Sequence, residues 1–330
     1  MNSFEYAMPK RTADVFRALE SSDSIIKAGG IDVLDLIKEG IAHPQRLVNI
    51  NSIDELKYIE GNQTTGVKIG PGTTLAELAS SEVLSGSYRA LAQAAGSTAT
   101  PQIRNSATLG GSLCQRPRCW YFRNKDYHCT RKGGFTCFAV NGENENHAIF
   151  ENDFGCVMVH PSTTAVALIA LGAKLTIASA KSSREILVED FFVTPRENMH
   201  RENILEQGEI ITAIHLPPAA KNMVSYYYKQ KAKQSFDWPI AEVAVSMQLD
   251  GKKCQNPRVA LGAAAPVPMR SKEAESALNN QEVTIDIAAS VGKEAMKKAT
   301  PLSQNKYKVH IFQAVIKRTV CWASDIDPFA

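Results

Sequence analysis

The chain has 330 residues, 44% of them hydrophobic and 22% charged, with a formal net charge of +3. That length holds two or three domains with a sizeable core, and so slight a basic balance excludes a general nucleic-acid or polyanion binder. No apolar run is long enough to span a membrane, and the start, Met1-Asn2-Ser3-Phe4-Glu5-Tyr6, lacks the basic segment and apolar core of a signal peptide, so the sequence by itself places the protein in the cytoplasm.

In chain order, residues 13–21 read as a helix with Val15, Phe16 and Leu19 on one face and Thr12 as its cap. A short strand at 25–28 runs into Gly29-Gly30 and a helix at 31–41. Strand, glycine turn and helix together make a natural anion site, because the turn admits close approach and amides at the helix start face the ligand. Read alone, a Gly-Gly pair is as easily a plain tight turn. Strands follow at 47–50 and 67–69. Thr73 or Thr74 caps a helix running to about Leu84, with Glu77 in its first turn, and 87–95 forms another helix. Residues 97–113 and a cysteine loop to Cys156 read as non-helical. Then come a strand at 157–159, an apolar helix capped by Ser162 or Thr163 and ending at Gly172, and strands at 173–178, 185–188 and 210–216. Pro217-Pro218 breaks the chain. Beyond it lie strands at 224–230, 241–249 and 258–264, then helices at 271–278, 285–299 and 305–323, an α+β pattern.

Two features carry chemistry. The second glycine turn, Ile103-Arg104-Asn105-Ser106-Ala107-Thr108-Leu109-Gly110-Gly111-Ser112, offers a hydroxyl at Thr108 and open amides at Gly110 and Gly111. With Gly29-Gly30 it suits the two phosphates of one dinucleotide, although neither turn has the Rossmann spacing. The other feature is a crowd of cysteines: five of the seven lie between Cys114 and Cys156. Cys119, Cys129, Cys137 and Cys156 follow the pattern C-x9-C-x7-C-x18-C, which is neither a zinc-finger nor a ferredoxin spacing. Four thiolates suit an iron–sulfur cluster or zinc, and the residues alone leave the two nearly level, with Cys114 ranked as a spare ligand. Arg116, Arg118, Arg123, Lys125, Arg131 and Lys132 read mostly as a solvated basic loop that offsets thiolate charge. Cys254 and Cys321 read as ordinary thiols in a loop and a helix. His160-Pro161-Ser162 reads as a helix cap able to hold an anion or ribose.

These residues resemble a known family. Ala28-Gly29-Gly30-Ile31-Asp32-Val33-Leu34, Ile103 to Leu113, and His160-Pro161-Ser162-Thr163 are similar to three segments of the FAD-binding subunits of the xanthine oxidase family of molybdenum hydroxylases: A-G-G-T-[DN]-L-L, I-R-N-x-A-T-x-G-G-N and H-P-S-D. The resemblance covers essentially the whole chain, and the cysteine loop narrows it to the aldehyde oxidoreductase flavoprotein type. It implies an α+β fold: a two-part FAD-binding module of the vanillyl-alcohol oxidase (PCMH) type over 1–218, with subdomains about 1–55 and 56–218 and the cluster loop at 114–156. A carbon monoxide dehydrogenase flavoprotein-like domain follows over 219–330. It implies FAD held by Ala28, Gly29, Gly30, Ile31, Asp32, Val33, Leu34, Asn105, Thr108, Gly110, Gly111, Ser112, His160, Ser162 and Lys229. A [4Fe–4S] cluster would sit on Cys119, Cys129, Cys137 and Cys156. Partners would be a large subunit with the molybdenum cofactor, which oxidises the substrate, and a small subunit with [2Fe–2S] clusters, in a heterotrimer or its dimer. Electrons would reach the FAD from the small subunit and leave to an external acceptor. A signal-bearing partner would allow co-export to the periplasm.

Three departures matter. Thr163 stands where the family has Asp, Ile31 where it has Thr, and Ser235-Phe236-Asp237-Trp238-Pro239-Ile240-Ala241 where NAD-reducing members have a D-D-I-A-like segment. Phe236 or Trp238 covering the flavin favours ferredoxin, oxygen or a quinone-linked acceptor over NAD. The rivals are an NAD-reducing xanthine or carbon monoxide dehydrogenase-like subunit, and a zinc-stapled interaction module whose glycine turns are only turns.

Overall fold

A computed structural model describes residues 2–20, 23–233 and 235–330. Among the described residues the strands form three sheets. The first is small and parallel, in the order β1 (Glu5–Ala7), β3 (Arg46–Asn49), β2 (Ser24–Lys27). Helices α1 (Thr12–Ala18) and α2 (Val33–Lys38) connect its strands. Thr12 is not the cap of α1: it lies inside the helix, where its hydroxyl donates to Glu55 at 2.6 Å. The expected helix end at Ser21 lies outside the described residues. α2 is shorter than expected because Gly40, at φ +66°, closes it.

The second sheet is antiparallel, in the order β4 (Ile59–Asn62), β5 (Gly66–Ile69), β8 (Ile210–Leu216), β6 (Lys174–Ala178), β7 (Ser183–Leu187). Between β5 and β6 the chain runs through α3 (Leu75–Ser80), α4 (Arg89–Ser97), α5 (Pro101–Arg104), α6 (Leu109–Leu113), α7 (Trp120–Arg123), α8 (Phe138–Asn141) and α9 (Thr163–Ala170). Thr74 and Glu77 form a reciprocal capping box on α3. That helix stops at Ser80 rather than near Leu84. The stretch expected to be non-helical contains α5 and α6, each capped by a threonine hydroxyl, Thr100 and Thr108. Their brevity hides them from any periodicity test. Residues 157–159 are not a strand; they run as connecting chain, with the Val157 carbonyl accepting from Ala148.

The third sheet, β12 (Met269–Arg270), β11 (Lys253–Gly262), β10 (Pro239–Asp250), β9 (Met223–Lys231), is antiparallel and packs on α10 (Lys272–Leu278), α11 (Ile285–Ala295) and α12 (Tyr307–Ala323). Cys254 lies in β11, not a loop, because the strand extends five residues before its expected start. Helix α9 is buried on every side, which is why it reads apolar all round. It joins the parts of the molecule: it meets α4 and α6 on one side and β10 and β11 on the other.

Candidate cofactor sites: two glycine turns and a cysteine pocket

The two glycine turns, some eighty residues apart in sequence, touch. A β-carbon on Gly29 would lie 1.8 Å from the Ser106 carbonyl oxygen and 3.2 Å from the Ala107 α-carbon. Only glycine permits that approach. Gly30 follows at φ +81°, with the Leu34 side chain beneath it. Among the described residues the amides of Gly29, Gly30, Ile31 and Asp32 have no hydrogen-bond acceptor. Four free donors at one turn match the needs of a phosphate. Lys27, overlooked in the sequence, adds a cation here: its ammonium reaches the Ala28 carbonyl at 3.3 Å and Asn49 Oδ1 at 3.2 Å, and burial lowers its pKa. The signal was present as a lysine ending the strand before the glycines.

The second turn is built differently. Gly110 donates to the Pro71 carbonyl at 2.8 Å, and Gly111 donates to Thr108 Oγ1 at 3.2 Å. The expectation of open amides at these two glycines is therefore corrected: capping of α6 and docking on Pro71 use both. Ser112 is buried, its hydroxyl 3.0 Å from that of Ser162 and accepting from Thr164 at 2.9 Å. Ser162 caps α9 through the Ala165 amide. The His160 ring is buried, accepts from the Ser162 amide at Nδ1, and leaves Nε2 buried without a partner. Burial pushes His160 down to about 3, so its ring is neutral. The side chain of Asn105 and the amides of the first turn remain the outward donors.

Thr163, the departure from H-P-S-D, donates to the buried carboxyl of Glu242 on β10 at 2.9 Å. Lys229 lies apart from the turns, in a cleft of about 360 Å³ lined by Gln93, Ser97, Tyr227 and Lys231. Its ammonium donates to the Ser97 carbonyl at 3.2 Å. Ser97 begins the segment that ends in the second turn, and Arg104 holds that segment by the Thr98 and Ala99 carbonyls.

The four predicted cysteines come together. Cys119, Cys129, Cys137 and Cys156 line one small pocket with Phe122, Phe138, Arg131 and His147. All seven cysteines are free thiols. Burial raises Cys119 to about 11, a hydrogen bond from Cys156 lowers Cys137 to about 6, and that same bond raises Cys156. Cys114 lies outside this lining, half-buried, and desolvation pushes its pKa up to about 12. Among the described residues no group of three or more His, Cys, Asp or Glu side chains has the arrangement of a metal-ion site.

The arginines are not a solvated basic loop. Arg118 and Arg123 both reach Asp32 Oδ1, at 2.9 and 2.6 Å, and the Arg116 amide donates to Asp32 Oδ2. Arg123 also pairs with Asp35 at 2.7 Å. Arg116 and buried Arg131 share Glu202, each at 3.0 Å. Asp32, placed among the cofactor residues, thus spends its carboxylate tying the first turn to the cysteine loop. Trp238, half exposed, lies over the Arg118 guanidinium at 5.3 Å. The β9–β10 connection therefore reaches the same region.

Residues 2–219 match the family described as the FAD binding domain in molybdopterin dehydrogenase. Residues 226–323 match the carbon monoxide dehydrogenase flavoprotein C-terminal domain. The chain is 33% identical over 284 residues to the aldehyde oxidoreductase FAD-binding subunit PaoB of Escherichia coli K12, covering 86% of each. It is 24% identical to the xanthine dehydrogenase FAD-binding subunit of Escherichia coli O157:H7, over 96% of each chain. Among solved structures, a chain of the carbon monoxide dehydrogenase of Hydrogenophaga pseudoflava superposes with a TM-score of 0.76 at 26% identity, over 98% of both.

Proposed function

The chain belongs to the FAD-binding subunits of the molybdopterin dehydrogenases, a family of oxidoreductases, and from that premise we propose that it is the FAD- and [4Fe–4S]-carrying electron-transfer subunit of an aldehyde-type molybdenum hydroxylase. We propose residues 1–218 as its FAD module and 219–330 as its C-terminal domain, with a molybdenum-cofactor subunit and a small [2Fe–2S] subunit as partners. The observation that carries the FAD reading is the contact of Gly29 with Ser106, which joins two turns of the family's pattern into one cradle.

In this reading the amides of residues 29–32 and the Lys27 ammonium hold the cofactor's phosphates, and Asn105 adds an outward donor. Thr108, Gly110, Gly111, Ser112, His160 and Ser162 shape the cradle from behind. Lys229 marks the cleft that takes the flavin end. The protein binds and tunes; FAD, when bound, supplies the redox chemistry. Cys119, Cys129, Cys137 and Cys156 fit a cluster by their convergence on one pocket. A second observation agrees: Nε and Nη2 of Arg131 are buried in its wall without partners, a cation suited to an anionic thiolate group. The Arg118–Trp238 stack supports an acceptor other than NAD.

The test is iron, acid-labile sulfide and flavin on the complex purified without oxygen. About four irons and four sulfides per FAD is the expected result. FAD with no iron, even after anaerobic reconstitution, would return the protein to the xanthine or carbon monoxide dehydrogenase-like reading. Rapid flavin reoxidation by NAD in the reduced complex would overturn the choice of acceptor.

A further inference from the structure

His147 occupies the wall of the cysteine pocket for no reason that packing alone supplies. Its Nε2 lies 3.3 Å from the Cys119 sulfur. Its Nδ1 is buried without a partner. The ring is set edge-on against Trp120, with centroids 6.0 Å apart. The backbone behind it is held at both its carbonyl and its amide. The His147 carbonyl accepts from Lys308 Nζ at 2.9 Å and from Asn305 Nδ2 at 3.1 Å. Its amide donates to the Asn144 carbonyl, and Asn144 is itself gripped by Ser303 and Gln304. Asn144, Asn305 and Lys308 are each fully buried. Two buried polar side chains, both from the C-terminal domain, thus converge on the backbone carbonyl of the one residue that presents a ring nitrogen to a cysteine sulfur, and the backbone of buried Asn144 holds its amide. Aligning a donor is worth such an arrangement; filling space is not.

We propose that His147 is a positioning residue for the cysteine pocket, donating its Nε2–H to the Cys119 sulfur and raising the reduction potential of the cluster bound there. The inference rests on the cluster reading above. A free Cys119 thiol donates or accepts toward Nε2. A metal-bound thiolate carries no proton, so only the ring can donate. A hydrogen bond to a ligand sulfur favours the state with more negative charge, which is the reduced one. The couple gains one electron, and the proton stays on nitrogen throughout. The C-terminal domain thereby acts on the pocket through Lys308 and Asn305, although it contributes no cysteine to it.

The experiment compares the intact complex of the wild type with His147→Leu and His147→Gln. Iron and sulfide per FAD are measured first, and then reductive titrations are followed by electron paramagnetic resonance. His147→Leu should keep its iron and shift the cluster midpoint downward. The expected shift is about tenfold in the reduced-to-oxidised ratio, or about 59 mV for one electron. His147→Gln, which retains an N–H, should recover most of that shift, and the flavin midpoint should not move. An unchanged cluster midpoint in an iron-replete His147→Leu complex overturns the proposal. If His147→Leu loses iron, pulsed resonance on wild-type complex labelled with ¹⁵N-histidine decides: a histidine nitrogen coupled to the reduced cluster supports the hydrogen bond, and its absence overturns it. Wild-type complex without iron refutes the cluster reading itself, a separate outcome.

Discussion

The two glycine turns look alike in the sequence and do different work in the structure. The first, at Gly29-Gly30, leaves the amides of residues 29–32 free and has Lys27 beside it. The second, at Gly110-Gly111, uses both glycine amides internally and locks Ser112 into a buried hydroxyl network with Ser162 and Thr164. In the proposed reading the first turn is the donor set for the cofactor's phosphates, and the second is the brace that holds it in place. A glycine pair therefore reports close approach, and what approaches, ligand or neighbouring backbone, is decided by the elements on either side.

The largest effect that would test this contrast is expected at Gly29. An alanine there would drive its β-carbon into the Ser106 carbonyl, a backbone atom that cannot swing aside. Gly29→Ala should cost at or above the upper end of the roughly 1–3 kcal/mol typical of overpacking. It should also abolish FAD retention, because the two turns must part. Thermal unfolding with flavin release on the same samples measures both. FAD bound stoichiometrically by this variant would show that the turns do not form one cradle.

Acid should act next, and through the brace. His160 is buried and neutral, with a pKa of about 3 against 6.5 unfolded. Between those values the unfolded chain binds a proton that the folded chain refuses, so stability falls as pH drops from about 6.5 toward 3 and is fully present above 6.5. The loss is on the order of a few kcal/mol. His160→Asn should flatten the acid limb of the denaturation curve. An unchanged limb would mean that other groups carry it.

A smaller effect is expected at Lys27, on the ligand side of the contrast. Lys27→Met keeps the stem and removes the charge. It should weaken FAD binding about tenfold, near 1.4 kcal/mol, with unfolding of the FAD-free protein little changed. Equal loss of stability in the FAD-free protein would recast Lys27 as a structural partner of Asn49.

How much of this was legible follows from what each feature needs. Most strands of the second and third sheets show in alternating or apolar runs, but β4 and β12, four and two residues long, do not, and Thr74 with Glu77 announces a helix start. The four cysteines are visible as a set because they cluster in sequence. Short helices such as α5 and α6 are invisible to periodicity, since one turn has no period, and they are what consumes the second turn's amides. The arginines' pairing is hidden for a related reason: Asp32 lies more than eighty residues from Arg118 and Arg123, and only the fold brings a carboxylate between them. His147 carried no local signal, because its role depends on Lys308 and Asn305 from another domain.

The smallest effect belongs to Gly111, and it separates the two turns most finely. Gly111 is exposed, and an added β-carbon would meet only Thr108 Oγ1, at 3.0 Å. Alanine gains about 1 kcal/mol of helix propensity over glycine in α6 and gives part of it back in nudging that hydroxyl. It keeps the amide that caps the helix. Gly111→Ala should therefore change stability by less than about 0.5 kcal/mol and leave FAD retention intact. FAD lost with stability unchanged would place the cofactor directly against the Gly111 α-carbon. The second turn would then be a binding surface as well as a brace, and the likeness of the two turns in sequence would extend to their function.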